Sequence, residues 1–306
     1  MTEFLDIRPE VAEALAAGRA VVALESTVIA HGLPAPRNIE AARGMAAAVR
    51  DAGAVPATVA VLDGRVRVGL SPAEVERLAT ADAVAKVSRR DLAAALAYQG
   101  LGATTVAATM ACAARAGIRV FATGGLGGVH RGGERSLDIS ADLTELARSP
   151  VAVVCAGAKA ILDLPRTLEV LETNGVPVIG YGTHEFPAFF SQSSGLTLPA
   201  QVDTPEAAAA LLRAHWGLGL DGGVVIANPP PEEAALDAAV IEPLIARALA
   251  DAEADGVRGG AVTPYLLARL AVLSDGRTIE ANVALLAHNA RLGGQIAAAF
   301  AELGAD

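Results

Sequence analysis

Lys86 and Lys159 are the only lysines in a chain whose 24 basic residues are otherwise all arginine. Arginine serves wherever a surface cation is enough, so a retained lysine calls for a reason that arginine cannot meet. An amine can lose its proton and attack a carbonyl, whereas a guanidinium stays charged. Lys159 follows the apolar run VAVVCAGA (151–158), and Lys86 lies inside AVAKVS (83–88). Strand ends of α/β sheets are where sites form, and burial or a second nearby cation lowers an amine's pKa. The competing reading is two ordinary lysines snorkelling from strand ends. Two in apolar contexts with none elsewhere favour chemistry, because burying an amine without a use for it is costly. If amine reactivity is what keeps both, they must face one pocket.

Three further segments carry candidate groups. TGGLGGVHRGG (123–133) holds six glycines, with His130 and Arg131 among them. Glycines let a backbone approach a ligand closely and present amides to an anion; the alternative is a flexible surface loop. The segment is neither a dinucleotide fingerprint, since His130 stands at the last glycine position, nor a P-loop, since the Gly-Lys-Ser/Thr is missing. SLDISADLTE (136–145) places Asp138 and Asp142 four residues apart, on one face if helical. Two carboxylates beside hydroxyls suit a hard cation with waters. A helix cap at Ser140 explains the same pattern, and spacing alone favours the cap. In ALESTVIAHG (23–32), Glu25 follows an apolar strand, where a charge is expensive unless it is paired or works as an acid or base. His31, His184 and His288 form no metal-ligand spacing, and Asn282 on the last helix reads equally as a site amide or a satisfied core group.

The elements that must position these groups alternate. Strands are expected over 20–24, 57–62, 66–68, 84–87, 119–122, 151–155, 176–180 and 223–227. Helices are expected over 37–52, 73–79, 90–97, 104–116, 161–173, 205–216, 231–254 and 279–300. Ser71 and Thr204 read as N-caps ahead of prolines, Gly53 and Gly117 as C-terminal caps, and Asp63-Gly64 as a hairpin turn. This pattern implies one α/β domain over 1–306, with helices on both faces of a mixed sheet. A net charge of −10 argues against a nucleic-acid surface. Two cysteines in apolar runs fit a reducing compartment without disulfides. No apolar run is long enough for a bilayer, and MTEFLDIRPE has no signal-peptide pattern, so a soluble cytoplasmic protein is expected.

Whole strings resemble the pseudouridine-5′-phosphate glycosidase family, which includes the indigoidine-synthase-A-like proteins. They are ALESTVIAHGLP (23–34), PATVAVLDGRVRVGL (56–70), KVSRRDL (86–92), GATTVAATM (102–110), VFATGGLGGVHRGGERSLDISADL (120–143), VCAGAKAILDLPRTLEVLETNGVPVIGY (154–181) and LLARLAVLSDGRTIEANVALLAHNARLGGQIA (266–297). The resemblance covers nearly the full chain. It implies a three-layer α/β/α fold, a homotrimer and one divalent metal per subunit, usually Mn²⁺. The implied activity is reversible cleavage of the C–C glycosidic bond of pseudouridine 5′-phosphate to uracil and ribose 5-phosphate, a hydro-lyase-like step. Carried over residue by residue, Lys159 falls on the Schiff-base lysine, Glu25 on the proton donor and Asp138 on the metal carboxylate. Lys86, Val106, Ser140, Ala141 and Asp142 fall on substrate-binding positions, and His130 and Asn282 on positions associated with the site. A pigment-pathway relative with altered base specificity and a class I aldolase-type sugar-phosphate lyase are the alternatives.

Overall fold

The computed structural model describes residues 3–304. Its strands are β1 (Leu5–Ile7), β2 (Val21–Leu24), β3 (Val55–Leu62), β4 (Arg65–Val68), β5 (Ala85–Val87), β6 (Leu101–Thr104), β7 (Val120–Ala122), β8 (Val129–His130), β9 (Ala152–Cys155), β10 (Leu162–Asp163), β11 (Val178–Tyr181), β12 (Ala200–Val202) and β13 (Val224–Ala227). The helices are α1 (Pro9–Ala16), α2 (Arg37–Asp51), α3 (Pro72–Thr80), α4 (Leu92–Tyr98), α5 (Val106–Ala116), α6 (Gly133–Ser136), α7 (Ala141–Leu146), α8 (Leu164–Thr173), α9 (Pro205–Gly217), α10 (Ala238–Ala254), α11 (Val262–Leu273) and α12 (Arg277–Leu303).

The sheet runs β1-β4-β3-β2-β7-β9-β13-β11-β12, with β6 on β3 and β5 on β6. From β2 through β12 all neighbours are parallel, and β4 and β6 run antiparallel to β3. The sheet is therefore mixed, as the hairpin implied. Asp63 (φ 52°) and Gly64 (φ 76°) make the two left-handed positions that a tight turn between β3 and β4 requires. Every residue of β2, β7, β9 and β13 is buried, which a parallel sheet covered on both faces demands. The helix α12 lies across β2, β7 and β9 and packs on α2 and α9, whereas α5 packs on β2, β3, β4 and α7. The chain is a single-domain three-layer α/β/α structure.

The caps read from sequence are present. Ser71 accepts from the Glu74 amide at 3.2 Å while Glu74 takes the Ser71 amide at 2.8 Å, and Thr204 accepts from the Ala207 amide at 3.2 Å. Some boundaries differ. The helix expected from 161 begins at Leu164, because Leu162–Asp163 pairs as a strand with β8 and Asp163 caps the helix through the Arg166 amide at 3.1 Å. The helix expected from 231 begins at Ala238, where Asp237 supplies the cap. The strands β1, β6, β8, β10 and β12 and the helices α1, α6, α7 and α11 are not among the expected elements; β6, LGAT, has one β-branched residue and is a strand because β3 offers it a free edge.

Both thiols are buried, and burial pushes each up to about 12. We expect neither Cys112 nor Cys155 to react with a disulfide reagent at pH 8 in the native protein, and both to react once it is unfolded. Labelling of either thiol within seconds in the native state contradicts this packing.

Candidate active site

The long strand β3 creates the opening at which the site is built. Its first half pairs with β2 as far as Leu24–Thr58, and from Ala60 onward β6 takes the same edge. Ser26 fills the junction: its hydroxyl donates to the Val59 carbonyl at 2.6 Å and accepts from the Thr104 amide at 2.8 Å. Glu25 and Thr27, on either side of it, line the cavity beyond the carboxyl edge of the sheet. Ligands bind α/β sheets at such switch points.

Lys159 comes from two strands away. After β9 the chain is clipped to the Gly-rich segment: the Leu126 amide donates to the Gly157 carbonyl at 2.9 Å, and the Lys159 amide donates to the Leu126 carbonyl at 3.0 Å. The β8–β10 ribbon then sets Leu162 opposite His130. Arg131 secures this corner, donating to the Ala160 carbonyl at 3.2 Å and pairing with Glu242 of α10 at 2.5 Å.

The Gly-rich segment is not the flexible loop weighed from its composition: it is packed into the protein, and Gly124, Gly125, Gly127 and His130 line the cavity. Residues 123–126 are buried, and the amides of Leu126, Gly127, Val129 and His130 all donate within the protein. The glycines are there for close approach. A Cβ on Gly127 would sit 2.3 Å from the Ser140 hydroxyl, and one on Gly125 would sit 2.5 Å from the Phe189 ring.

Asp138 and Asp142 do not share a helix face. Asp138 precedes α7, Ser140 caps it by accepting from the Asp142 amide at 3.2 Å, and Asp142 lies inside. Asp142 spends one oxygen on the Ala107 amide at 2.9 Å and the other on the Gly127 amide at 2.8 Å. It thereby ties the start of α5 to the Gly-rich segment. Asp142→Asn turns one acceptor into a donor facing an N–H, and we expect it to cost about 2–3 kcal/mol in chemical denaturation, the scale of hydrogen bonds to a charged group. An unchanged midpoint contradicts that role.

A cavity of about 440 Å³ results, the size of a small-molecule site. Glu25, Lys86, Val106, His130, Asp138, Ser140, Ala141, Asp142, Lys159 and Asn282 all line it. The two lysines thus face one pocket. Lys86 comes from β5 and donates to the Gly260 carbonyl at 3.3 Å. Burial, then the charge of Lys159, pushes the Lys86 ammonium below the ordinary lysine range, while Asp142 and Glu25 pull the other way. Burial pushes His130 down, against Asp138 and with Lys159 and Lys86, so the imidazole is favoured neutral. Glu25 is 8% exposed, and its two oxygens accept hydroxyl hydrogen bonds from Thr27 and Thr123.

Several further residues line the cavity, among them His31, which the sequence offered only as a metal ligand without partners. His31 sits in a π-helical turn (Val28–Gly32), a form enriched at functional sites, with Nε2 3.0 Å from the Val84 carbonyl. Phe189 holds a left-handed φ of 63°, rare for a bulky residue, and lines the cavity. Gly259 and Gly260, just ahead of α11, and Thr263 in its first turn close another wall; the Gly-Gly pair between helices is their only sequence signal.

The fold and the cavity define an α/β enzyme with two lysines and a buried glutamate at the carboxyl edge of its sheet. The chain belongs to the indigoidine synthase A-like protein family, whose model matches residues 10–299. Among similar proteins, the pseudouridine-5′-phosphate glycosidase of Methylobacterium nodulans is 61% identical over 296 residues, covering 97% of this chain and 88% of that protein. That of Deinococcus radiodurans is 59% identical over 301 residues, covering 98% and 96%. The prealnumycin C-glycosynthase in complex with ribulose 5-phosphate superposes with a TM-score of 0.92 at 43% identity, over 100% of this chain and 99% of that one. An indigoidine synthase A-like protein from Thermotoga maritima gives 0.88 at 36%, over 96% of each.

Proposed function

We propose that this enzyme reversibly cleaves the C–C glycosidic bond of pseudouridine 5′-phosphate, giving uracil and ribose 5-phosphate with uptake of one water. The observation that carries this reading is the convergence of Lys159, Lys86 and Glu25 on one cavity. Identities of 54–61% to proteins named for this activity support it.

A C-glycoside has no lone pair on its departing atom, so protonating the leaving group does not suffice as it does for an O-glycoside. In this reading Glu25 delivers a proton to the ring oxygen and opens the ribose. The Lys159 amine adds at C1′. Its nitrogen lone pair then breaks the C1′–C5 bond, the electrons going to uracil C5, which takes a proton. The lysine iminium left on the sugar is hydrolysed by water, restoring the amine. Lys86 places its charge toward the phosphate.

A divalent metal, Mn²⁺ in this reading, fits Asp138. The Asp138 carboxylate lines the cavity and takes no hydrogen bond or ion pair among the described residues. No group of three His, Cys, Asp or Glu converges on a metal position among the described residues, so waters and substrate oxygens would complete the shell. Such an ion supplies Lewis acidity to oxygens of the base or sugar. The reading includes a homotrimer, for which Leu137 and Ile139, exposed beside Asp138, offer apolar surface. It also includes a cytoplasmic setting, which the two unpaired buried thiols support.

The test is uracil and ribose 5-phosphate in, pseudouridine 5′-phosphate out, with and without Mn²⁺. Formation of the C-glycoside is expected. Aldol cleavage of the sugar phosphate without any exchange of uracil would replace this reading with the aldolase-type one. The neighbour named a prealnumycin C-glycosynthase, at 43% identity, favours one other outcome, turnover of a different acceptor in place of uracil, which a panel of bases and other acceptors detects.

A further inference from the structure

The two threonines on Glu25 are not equivalent, and the difference bears on how the proposed proton donor works. Leu24 and Ala122 are paired across the parallel strands β2 and β7, so Glu25 and Thr123 are the next residues to emerge from adjacent strands. Thr123 is fully buried and donates its hydroxyl to Oε1 of Glu25. Thr27 donates to Oε2, is partly exposed and lines the cavity with Glu25. One carboxylate oxygen therefore faces the protein and the other faces the cavity.

Thr123 is also held on both sides. Its amide donates to the Val154 carbonyl at 3.0 Å, and its carbonyl accepts from Asn289 Nδ2 at 2.9 Å. Asn289 is itself fixed, accepting from Asn228 Nδ2 at 2.9 Å, and both asparagines are buried. This chain of contacts runs from α12 to the end of β7 and fixes the Thr123 backbone beside Glu25. A buried hydroxyl that released Glu25 would also leave its hydrogen unpaired. Thr123 can donate to Oε1 whether Glu25 is ionised or protonated, provided the proton sits on Oε2. Thr27, at the cavity wall, is free to turn its hydroxyl as that proton comes and goes.

We propose that Thr123 is a positioning residue for Glu25: it holds the inner oxygen, so that the outer oxygen beside Thr27 is the one that exchanges a proton with the substrate. This rests on the glycosidase reading, and the experiment separates the two. T123V keeps the shape and removes the donor; T123S keeps the donor. T123V is expected to lower kcat for uracil release about 30-fold with KM changed less than about threefold, a part of the roughly 10²–10⁴-fold that positioned proton transfer contributes. T123S is expected within about threefold of the parent. Ribose 5-phosphate and borohydride should still tag Lys159 in T123V, since the free sugar presents its own aldehyde. If T123V does not fold, T123A and T123S make the same comparison.

Equal impairment of the hydroxyl-bearing and hydroxyl-lacking variants overturns the inference in favour of simple packing. So does a T123V enzyme with the parent's kcat. A parent enzyme that releases no uracil and traps no adduct overturns the glycosidase reading instead.

Discussion

Replacing Lys159 with alanine abolishes uracil release and the borohydride-trapped adduct with ribose 5-phosphate together. The expected loss is about 10⁴-fold or more, because the covalent step has no substitute once the nucleophile is gone. Lys159→Arg does not rescue, since guanidinium keeps the charge and cannot form an imine. The adduct is read by mass spectrometry on the peptide containing Lys159. Measurable turnover in Lys159→Ala, or an adduct on Lys86 in the parent, sinks the assignment. Lys86 is the natural control. It shares the cavity and its ammonium is pushed down by burial and by Lys159, but it comes from β5 at the outer arm of the sheet and bonds Gly260. Lys159 instead follows β9 in the middle of the sheet, two strands from Glu25.

Replacing Glu25 with glutamine separates the chemistry of the ring from that of the lysine. The amide occupies the same volume but cannot deliver the proton, and we expect kcat for uracil release to fall about 10²–10⁴-fold. Trapping of ribose 5-phosphate on Lys159 should survive, because a free sugar opens without the enzyme. Glutamine also brings an NH₂ toward either Thr27 or Thr123, where the carboxylate had only acceptors, so one hydroxyl must turn. Loss of both activities in Glu25→Gln would show that Glu25 serves the lysine and not the ring oxygen. Full activity would remove it from the mechanism.

The central strands were legible because parallel strands buried on both faces are written as short runs of Val, Ile and Ala, as in VVAL, AVVC and VVIA. Caps were legible because they depend on neighbours within a turn, as at Ser71 and Thr204. Strand β6 was not, since LGAT is a strand only because β2 stops short on β3. The Gly-rich segment was legible as a place where backbone comes close to something. Composition leaves its neighbours open; in the fold it comes close to Phe189, Ser140 and Thr167, and Gly124, Gly125 and Gly127 also line the cavity.

The sequence by itself determined which groups could do chemistry. An excess of arginine over lysine singled out two amines, and an acidic residue after an apolar strand singled out Glu25, because the cost of burying a charge is a property of residue type and local context. Only the tertiary structure decided that both amines and Glu25 share one cavity, that Asp142 is committed to two backbone amides, and that Thr123 holds Glu25 from inside. Those outcomes depend on strand order and register: Glu25 and Thr123 are 98 positions apart along the chain and adjacent only because β7 pairs with β2.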